Sequence, residues 1–173
     1  IPIYRENPPK QSVDNFLRLR KMRFYATGLL LAMVTSVALL GVWLVDLLYD
    51  PRYLRAGAVV VVLACAQLPQ IIVLTYDQAA LAAGDSKRFF VLAAARGVLI
   101  FAGLLIGLEL AGLLGALLGL GLAYVCAYPV VVWLSRHQGA WDPFHDAIFA
   151  LISALIIPLI LWLHWVDILK LAQ

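Results

Sequence analysis

Residues 89–134 read FFVLAAARGVLIFAGLLIGLELAGLLGALLGLGLAYVCAYPVVVWL, and the charged side chains in this stretch are those of Arg96 and Glu109. A helix needs about 20 apolar residues to cross a bilayer, so the stretch is long enough for two crossings with a short polar segment at Glu109 between them. Its apolar residues are continuous and rich in Leu and Ala rather than alternating with polar ones, which argues against the strands of a membrane β-barrel. The stretch therefore predicts two adjacent membrane-spanning helices.

Similar apolar runs cover most of the chain. Bounded by charged or turn residues, they predict an all-α, polytopic transmembrane bundle with five spans, at residues 24–48, 57–83, 89–108, 112–134 and 147–166. The 173 residues are 64% hydrophobic and 13% charged, whereas a soluble domain is about half apolar and a quarter charged. We therefore expect a basic cytoplasmic segment at residues 1–23, a transmembrane domain at residues 24–173, and no folded domain outside the membrane.

The basic residues predict the orientation of the bundle, because cytoplasmic loops carry an excess of Lys and Arg. Nine lie before the first span, between the second and third, and after the fourth, and three lie at the other end. The N-terminus of the chain is therefore expected in the cytoplasm, with lipid rather than nucleic acid as the partner of these charges. Residues 12–23 are expected to lie on anionic lipid, either as a simple anchor or as a site that recognises lipid headgroups.

Asp77 and Arg96 are two ionisable residues within the predicted spans, where an isolated charge costs at least about 2.5 kcal/mol. With a rise of 1.5 Å per residue, each lies about 12 to 14 Å from the turn near residue 85, so an antiparallel hairpin would bring them level. Two interpretations are open. They form an ion pair that neutralises both charges, or Arg96 faces a water-filled cavity as an anion site while Asp77 tunes it or carries a proton or cation.

Amide side chains share one stripe of the second span with Asp77, at Gln67, Gln70 and Gln78. Pro69 lies between the first two and permits a kink. Such a stripe either lines a cavity or forms hydrogen bonds between helices. The candidate substrate-binding residues are therefore Arg96, Asp77, Gln67 and Gln70.

Small residues predict where two helices approach closely. They recur at intervals of four or nearly four in the third span, at Gly103 and Gly107, and in the fourth, at Gly112, Gly115, Gly119 and Ala123. Such spacing lets helix backbones come into contact within a membrane. We expect the third and fourth spans to form a tightly packed hairpin.

The sequence lacks the motifs of common enzyme classes. His137, His145 and His164 do not have metal-ligand spacing, and the chain has neither a nucleophile-elbow motif nor a phosphate-binding glycine loop. Cys65 and Cys126 both lie inside apolar runs, where they indicate neither a disulfide framework nor a metal site. We expect a protein that is not an enzyme and that uses no cofactor.

Several short motifs resemble, in the same order, the late portion of Wzx-type O-antigen and polysaccharide flippases. They are LYDPRY at 48–53, LAAGDS at 81–86, GLLGA at 112–116, YP at 128–129, WLSR at 133–136 and GAWDP at 139–143. The likeness extends over residues 2–146. The superfamily also contains the multidrug exporters and the peptidoglycan lipid flippase.

The resemblance implies a piece of a longer transporter, an expectation that fits a chain beginning with Ile1. Family members have a dozen or more spans in two bundles, and this chain resembles the latter part of the second. The implied activity is flipping of isoprenoid-pyrophosphate-linked oligosaccharides across the bacterial inner membrane by alternating access, with the remaining bundle and membrane lipids as partners. Two alternatives are an ion-coupled multidrug exporter of the same superfamily and a membrane anchor or assembly subunit without transport activity.

Overall fold

All regular structure in the described part of the chain is helical, as predicted. The computed structural model describes residues 12–50 and 54–171, apart from the side chains of residues 54 and 78–80. Its helices are α1 (Val13–Leu48), α2 (Leu54–Ala82), α3 (Ser86–His137), α4 (Pro143–Leu163) and α5 (Trp165–Leu169). Residues 51–53 of the LYDPRY motif, the basic residues before position 12 and the side chain of Gln78 lie outside this description.

The long helix α3 is in fact a hairpin of two helices, here α3a (residues 86–110) and α3b (residues 113–137). Its backbone is not helical at Ala111 and Gly112, and Gly112 has a φ of +59°, a conformation that favours glycine because it has no Cβ. A Cβ added at Gly107 would meet the carbonyl group of Gly115, and one added at Gly103 would meet that of Gly119. The predicted glycine-mediated pairing of the third and fourth spans is confirmed.

The protein has the helices of a membrane protein. Four are long and apolar enough to cross a bilayer, and the break at residues 111–112 divides the longest of them into two lengths, each sufficient for one crossing. The outward faces of these helices expose large apolar side chains, among them Leu29, Phe101, Leu122 and Leu155. These faces are suited to contact with lipid.

The central element of the bundle is α2, which packs against all of the other helices. Its fully buried side chains include Val61, Leu68 and Tyr76. One apolar core surrounds the second half of α2, where Leu31 and Phe149 lie against it, and another surrounds its first half, where Ala38 and Ile160 are buried. The two halves of α2 are therefore buried against different neighbours.

The start of α1 is continuous with the first span. Ser12 caps the helix by accepting a hydrogen bond from the backbone N–H of Asp14 at 3.1 Å, and the helix continues through Arg23 into the span without a break. No proline or glycine interrupts it before Gly28. The segment expected to lie on the membrane surface is therefore the first three turns of α1.

Candidate functional site

Asp77 and Arg96 form an ion pair between α2 and α3a. Nη1 of Arg96 donates to Oδ2 of Asp77 at 2.8 Å, and Nη2 donates to Oδ1 at 3.0 Å. The two side chains are 15% and 16% exposed. The register expected from the short turn between the helices is confirmed, and so is the interpretation that the two residues pair.

Arg96 retains a hydrogen-bonding capacity that Asp77 does not use. Its Nε is buried and has no hydrogen-bond partner among the described residues, although a guanidinium carries five N–H donors. Leaving a buried donor without an acceptor costs about 1–3 kcal/mol. Asp77 therefore leaves part of the hydrogen-bonding capacity of Arg96 unused, and the Nε itself has no exposed surface.

Gln67 and Gln70 do not join this pair. Both are half-buried, and Gln70 precedes Asp77 by seven residues, which places it about 10 Å further along the helix axis. Neither amide forms a hydrogen bond within the described part of the chain. Of the four predicted site residues, the structure brings together only Asp77 and Arg96.

A second polar cluster surrounds Asp146, near the first turn of α4. Its Oδ1 accepts hydrogen bonds from the hydroxyl of Tyr76 at 2.7 Å, and its Oδ2 accepts one from the hydroxyl of Tyr128 at 2.9 Å. Nδ1 of His145 lies 3.0 Å from Oδ1. We call Thr27, Tyr76, Tyr128, His145 and Asp146 the histidine cluster.

His145 lies at the centre of this cluster and has no solvent exposure. Its Nε2 lies 3.0 Å from Oγ1 of Thr27, whose side chain is equally buried. The rings of Phe24 and Phe149 flank the imidazole, with centroids 5.1 and 4.8 Å from its own. Every polar atom of the imidazole thus has a partner, and aromatic rings cover its sides.

Two arginines of α1 hold the start of α4 beside the cluster. Arg20 forms an ion pair with Asp142 at 2.7 Å. Arg23 is buried, donates to the carbonyl oxygen of Ala140 at 2.7 Å and lies over the ring of Tyr76. These two residues of the basic segment fasten α1 to the loop that precedes α4.

Sequence reasoning missed this cluster because it placed the start of the last span at residue 147. In the structure α4 begins at Pro143, and Asp142 caps it by accepting from the backbone N–H groups of Phe144 and His145, both at 3.2 Å. Asp-Pro is a strong helix-start signal. That signal would have placed His145 and Asp146 inside the helix.

A cavity of about 300 Å³ opens between α2, α3b and α4. Its lining is mostly apolar and includes Pro69, Ile72 and Tyr124, with Tyr128 and Asp146 as polar members. The four predicted site residues are not among its lining residues. The cavity belongs to the histidine cluster rather than to the Asp77–Arg96 pair.

The turn between α2 and α3a is tied to the end of α3b. Asp85 accepts hydrogen bonds from the side chain of Arg88 at 2.5 Å and from that of Gln138 at 2.9 Å. The hydrogen bond from Arg88 holds the pKa of Asp85 below its usual value. This carboxylate therefore stays ionised and anchors the turn outside the spans.

The described residues contain no group of three His, Cys, Asp or Glu side chains that could hold a metal ion. A scan against protein-family models, a search of curated proteins and a search of solved structures each found no match to this chain.

Proposed function

We propose that this chain is part of a flippase that moves isoprenoid-pyrophosphate-linked oligosaccharides from the inner to the outer leaflet of the bacterial inner membrane. The order of its short motifs and its membrane-spanning helices support this proposal. One observation carries it: Arg96 lies within a span, its side chain is 16% exposed, and Asp77 orients it while occupying only part of its N–H donors. In the full protein, alternating access would involve a second bundle.

The chemistry of the substrate requires such a group. A pyrophosphate and its glycan cannot enter hydrocarbon unaided, because their charges and hydroxyls would lose their hydration. A guanidinium presents N–H donors in a fork that matches phosphate oxygens. In this proposal Asp77 orients Arg96, and the substrate's pyrophosphate takes up the donors that Asp77 leaves free.

The orientation follows from the same proposal. The end of the bundle that carries Arg20, Arg23, Arg88 and Arg136, here the basic end, faces the cytoplasm. The Asp77–Arg96 pair is then about 12 Å from the cytoplasmic turn at residues 83–85. A lipid-linked substrate entering from the inner leaflet reaches this pair before it reaches the middle of the bilayer.

The test uses the full-length protein in liposomes of phosphatidylethanolamine and phosphatidylglycerol. The probe is an isoprenoid pyrophosphate bearing a fluorescent disaccharide, and flipping is measured by its accessibility to an external quencher. A charge-assisted hydrogen bond contributes about 1.5–3 kcal/mol, so we expect Arg96→Gln to slow flipping about tenfold or more. Arg96→Lys should recover part of the rate.

Arg88→Gln is the matched control, because Arg88 lies on the same helix but pairs with Asp85 outside the spans. It should change the flipping rate by less than about twofold, because this partly exposed ion pair lies outside the spans. If the double variant Arg96→Met and Asp77→Leu keeps the wild-type rate, the pair only holds helices together and the anchor or assembly alternative stands. Export of a cationic dye without any flipping of the probe would favour the multidrug exporter.

A further inference from the structure

We propose that His145 and Asp146 form a proton-binding site at the basic end of the bundle, separate from the anion site at Arg96. Both side chains are buried, and their ring and carboxylate atoms are 3.0 Å apart. These contacts are observed whether or not the chain is part of a flippase. The inference rests on that function only where it assigns the proton a role in transport.

The groups around the pair come from every element packed against it. They are Thr27, Arg20 and Arg23 from α1, Tyr76 from α2, Tyr128 and Arg136 from α3b, and Asp142 from the loop before α4. Arg20 is paired with Asp142, Arg23 is bound to the carbonyl of Ala140, and Arg136 lies over Trp141. None of these surrounding side chains ordinarily titrates between about pH 5 and 8, whereas histidine, as a residue type, does.

The partners of the pair suit both of its protonation states. The groups that contact the imidazole and the carboxylate are the hydroxyls of Thr27, Tyr76 and Tyr128. A hydroxyl can donate or accept a hydrogen bond, depending on how it rotates. With the imidazole neutral, Thr27 donates to Nε2, and with the imidazole charged, Nε2–H donates to Thr27. Uptake of a proton therefore leaves no buried polar atom of the ring unsatisfied.

Charge balance within the pair also favours reversible binding. When His145 is neutral and Asp146 ionised, the pair carries a charge of −1, and one added proton makes it neutral. Because the two groups are coupled, that proton belongs to the pair rather than to either residue. The positive charge that the added proton brings is balanced by the negative charge of the Asp146 carboxylate.

Asp77 also lies within a described span beside a basic residue, but it is less suited to binding a proton. Both of its oxygens accept hydrogen bonds from Arg96, and arginine does not release its proton in proteins. A proton arriving at Asp77 would have to break a bidentate ion pair. The two clusters therefore divide the chemistry, with anion binding at one and proton binding at the other.

The cavity gives a proton access to the pair. Asp146 and Tyr128 line it together with apolar side chains, and its volume of about 300 Å³ is large enough for several waters at about 30 Å³ each. The cavity reaches the carboxylate directly, so a proton that enters it meets Asp146 without crossing the packed core around His145. The aromatic rings of Phe24 and Phe149 close the other sides of the imidazole.

Helix α2 joins the two clusters physically. Tyr76 donates to Asp146, and the next residue, Asp77, accepts from Arg96. A change in the protonation of the histidine pair alters the hydrogen bond to Tyr76, one residue from the anion site. This adjacency provides a route by which proton binding affects the binding of a phosphate group at Arg96.

The first test measures protonation directly and needs no assumption about transport. The full-length protein, labelled with ¹⁵N-histidine in phosphatidylethanolamine and phosphatidylglycerol liposomes, is titrated by solid-state NMR from pH 5 to pH 8.5. We expect the His145 signal to change reversibly from a neutral to a charged imidazole in this interval. The signal is assigned by its loss in His145→Gln and, should that variant not fold, by its shift in Thr27→Val, which removes the hydroxyl beside Nε2 of His145. A signal that stays neutral throughout overturns the proposal.

The second test links the proton to transport of the fluorescent isoprenoid pyrophosphate probe. Wild-type flipping should slow about tenfold from pH 6 to pH 8, because a step that needs one histidine proton loses that proton as the pH rises. His145→Gln should reduce this change to less than about twofold. Tyr128→Phe serves as a milder variant that removes one hydroxyl from Asp146, and His137→Gln as the control that keeps the wild-type profile. A pH profile unchanged in both His145→Gln and Tyr128→Phe contradicts a coupling role.

The two tests separate this inference from the proposed function. If the probe is not flipped at any pH but the His145 signal still titrates, the flippase proposal fails and the proton site stands. If flipping depends on Arg96 while the His145 signal remains neutral, the flippase proposal stands and the proton site fails.

Discussion

At the scale of single residues, the hydroxyl of Tyr76 does more than its position in an apolar helix suggests. The ring is fully buried, the hydroxyl donates to Asp146 at 2.7 Å, and it accepts from the backbone N–H of Asp142 at 3.2 Å. One oxygen atom thereby connects α2 with the carboxylate inside α4 and with the residue that caps α4.

Tyr76→Phe should lower the free energy of unfolding by about 1–3 kcal/mol, because it leaves a buried carboxylate oxygen and a buried N–H each short of a partner. Stability is measured by reversible unfolding in mixed micelles. Tyr25→Phe is the control, since the ring of Tyr25 is 70% exposed, and its effect should stay within about 0.5 kcal/mol. Equal losses in the two variants would show that the Tyr76 hydroxyl contributes nothing specific.

Much of the Asp77–Arg96 geometry could be predicted from the sequence, whereas the histidine cluster could not. Asp77 and Arg96 lie on consecutive helices joined by a three-residue turn, so helical rise alone determines their register. The histidine cluster combines side chains from four helices, and no local pattern indicates which of them meet. The sequence predicts Arg20 and Arg23 only as membrane-flanking charges, because the distribution of Lys and Arg reports topology and not pairing.

At the scale of elements, the hairpin of α3a and α3b depends on contact between backbones. At Gly107 a Cβ would overlap the carbonyl group of Gly115, whereas at Gly97, on the same helix, it would meet nothing within 4 Å. The spacing of the glycines was sufficient to predict this contact, because close approach of membrane helices requires small residues at such intervals.

Gly107→Ala should therefore destabilise the protein by about 1–3 kcal/mol, the usual effect of forcing an extra carbon into a packed interface. Gly97→Ala should be neutral or stabilising by up to about 1 kcal/mol, because alanine favours a helix and has free space there. Both are measured by the same unfolding assay. A destabilisation by Gly97→Ala as large as that by Gly107→Ala would mean that helix packing is not the cause.

At the scale of the whole molecule, α2 packs against all of the other helices, while their outer faces expose apolar side chains suited to lipid. Leu68 has no exposure, whereas Leu122 on α3b is 63% exposed. In a bilayer, lipid tails are as apolar as leucine, so transfer to lipid contributes little and packing alone distinguishes the two positions.

Leu68→Ala should cost about 1–3 kcal/mol through the cavity that it leaves, and Leu122→Ala should cost less than about 0.5 kcal/mol. The difference is measured by unfolding in bicelles, where the lipid environment is retained. Comparable costs at both positions would indicate that Leu122 is covered by another part of the protein rather than by lipid.

The short turn between α2 and α3a also has a consequence for biogenesis. Three residues separate Ala82 from Ser86, so we expect the two segments to enter the bilayer together as one hairpin. Asp77 and Arg96 can then neutralise each other before either is surrounded by acyl chains, and the nascent chain avoids the insertion cost of a lone charge, at least about 2.5 kcal/mol. Lengthening that turn would expose both charges during integration, even though the finished protein kept every contact.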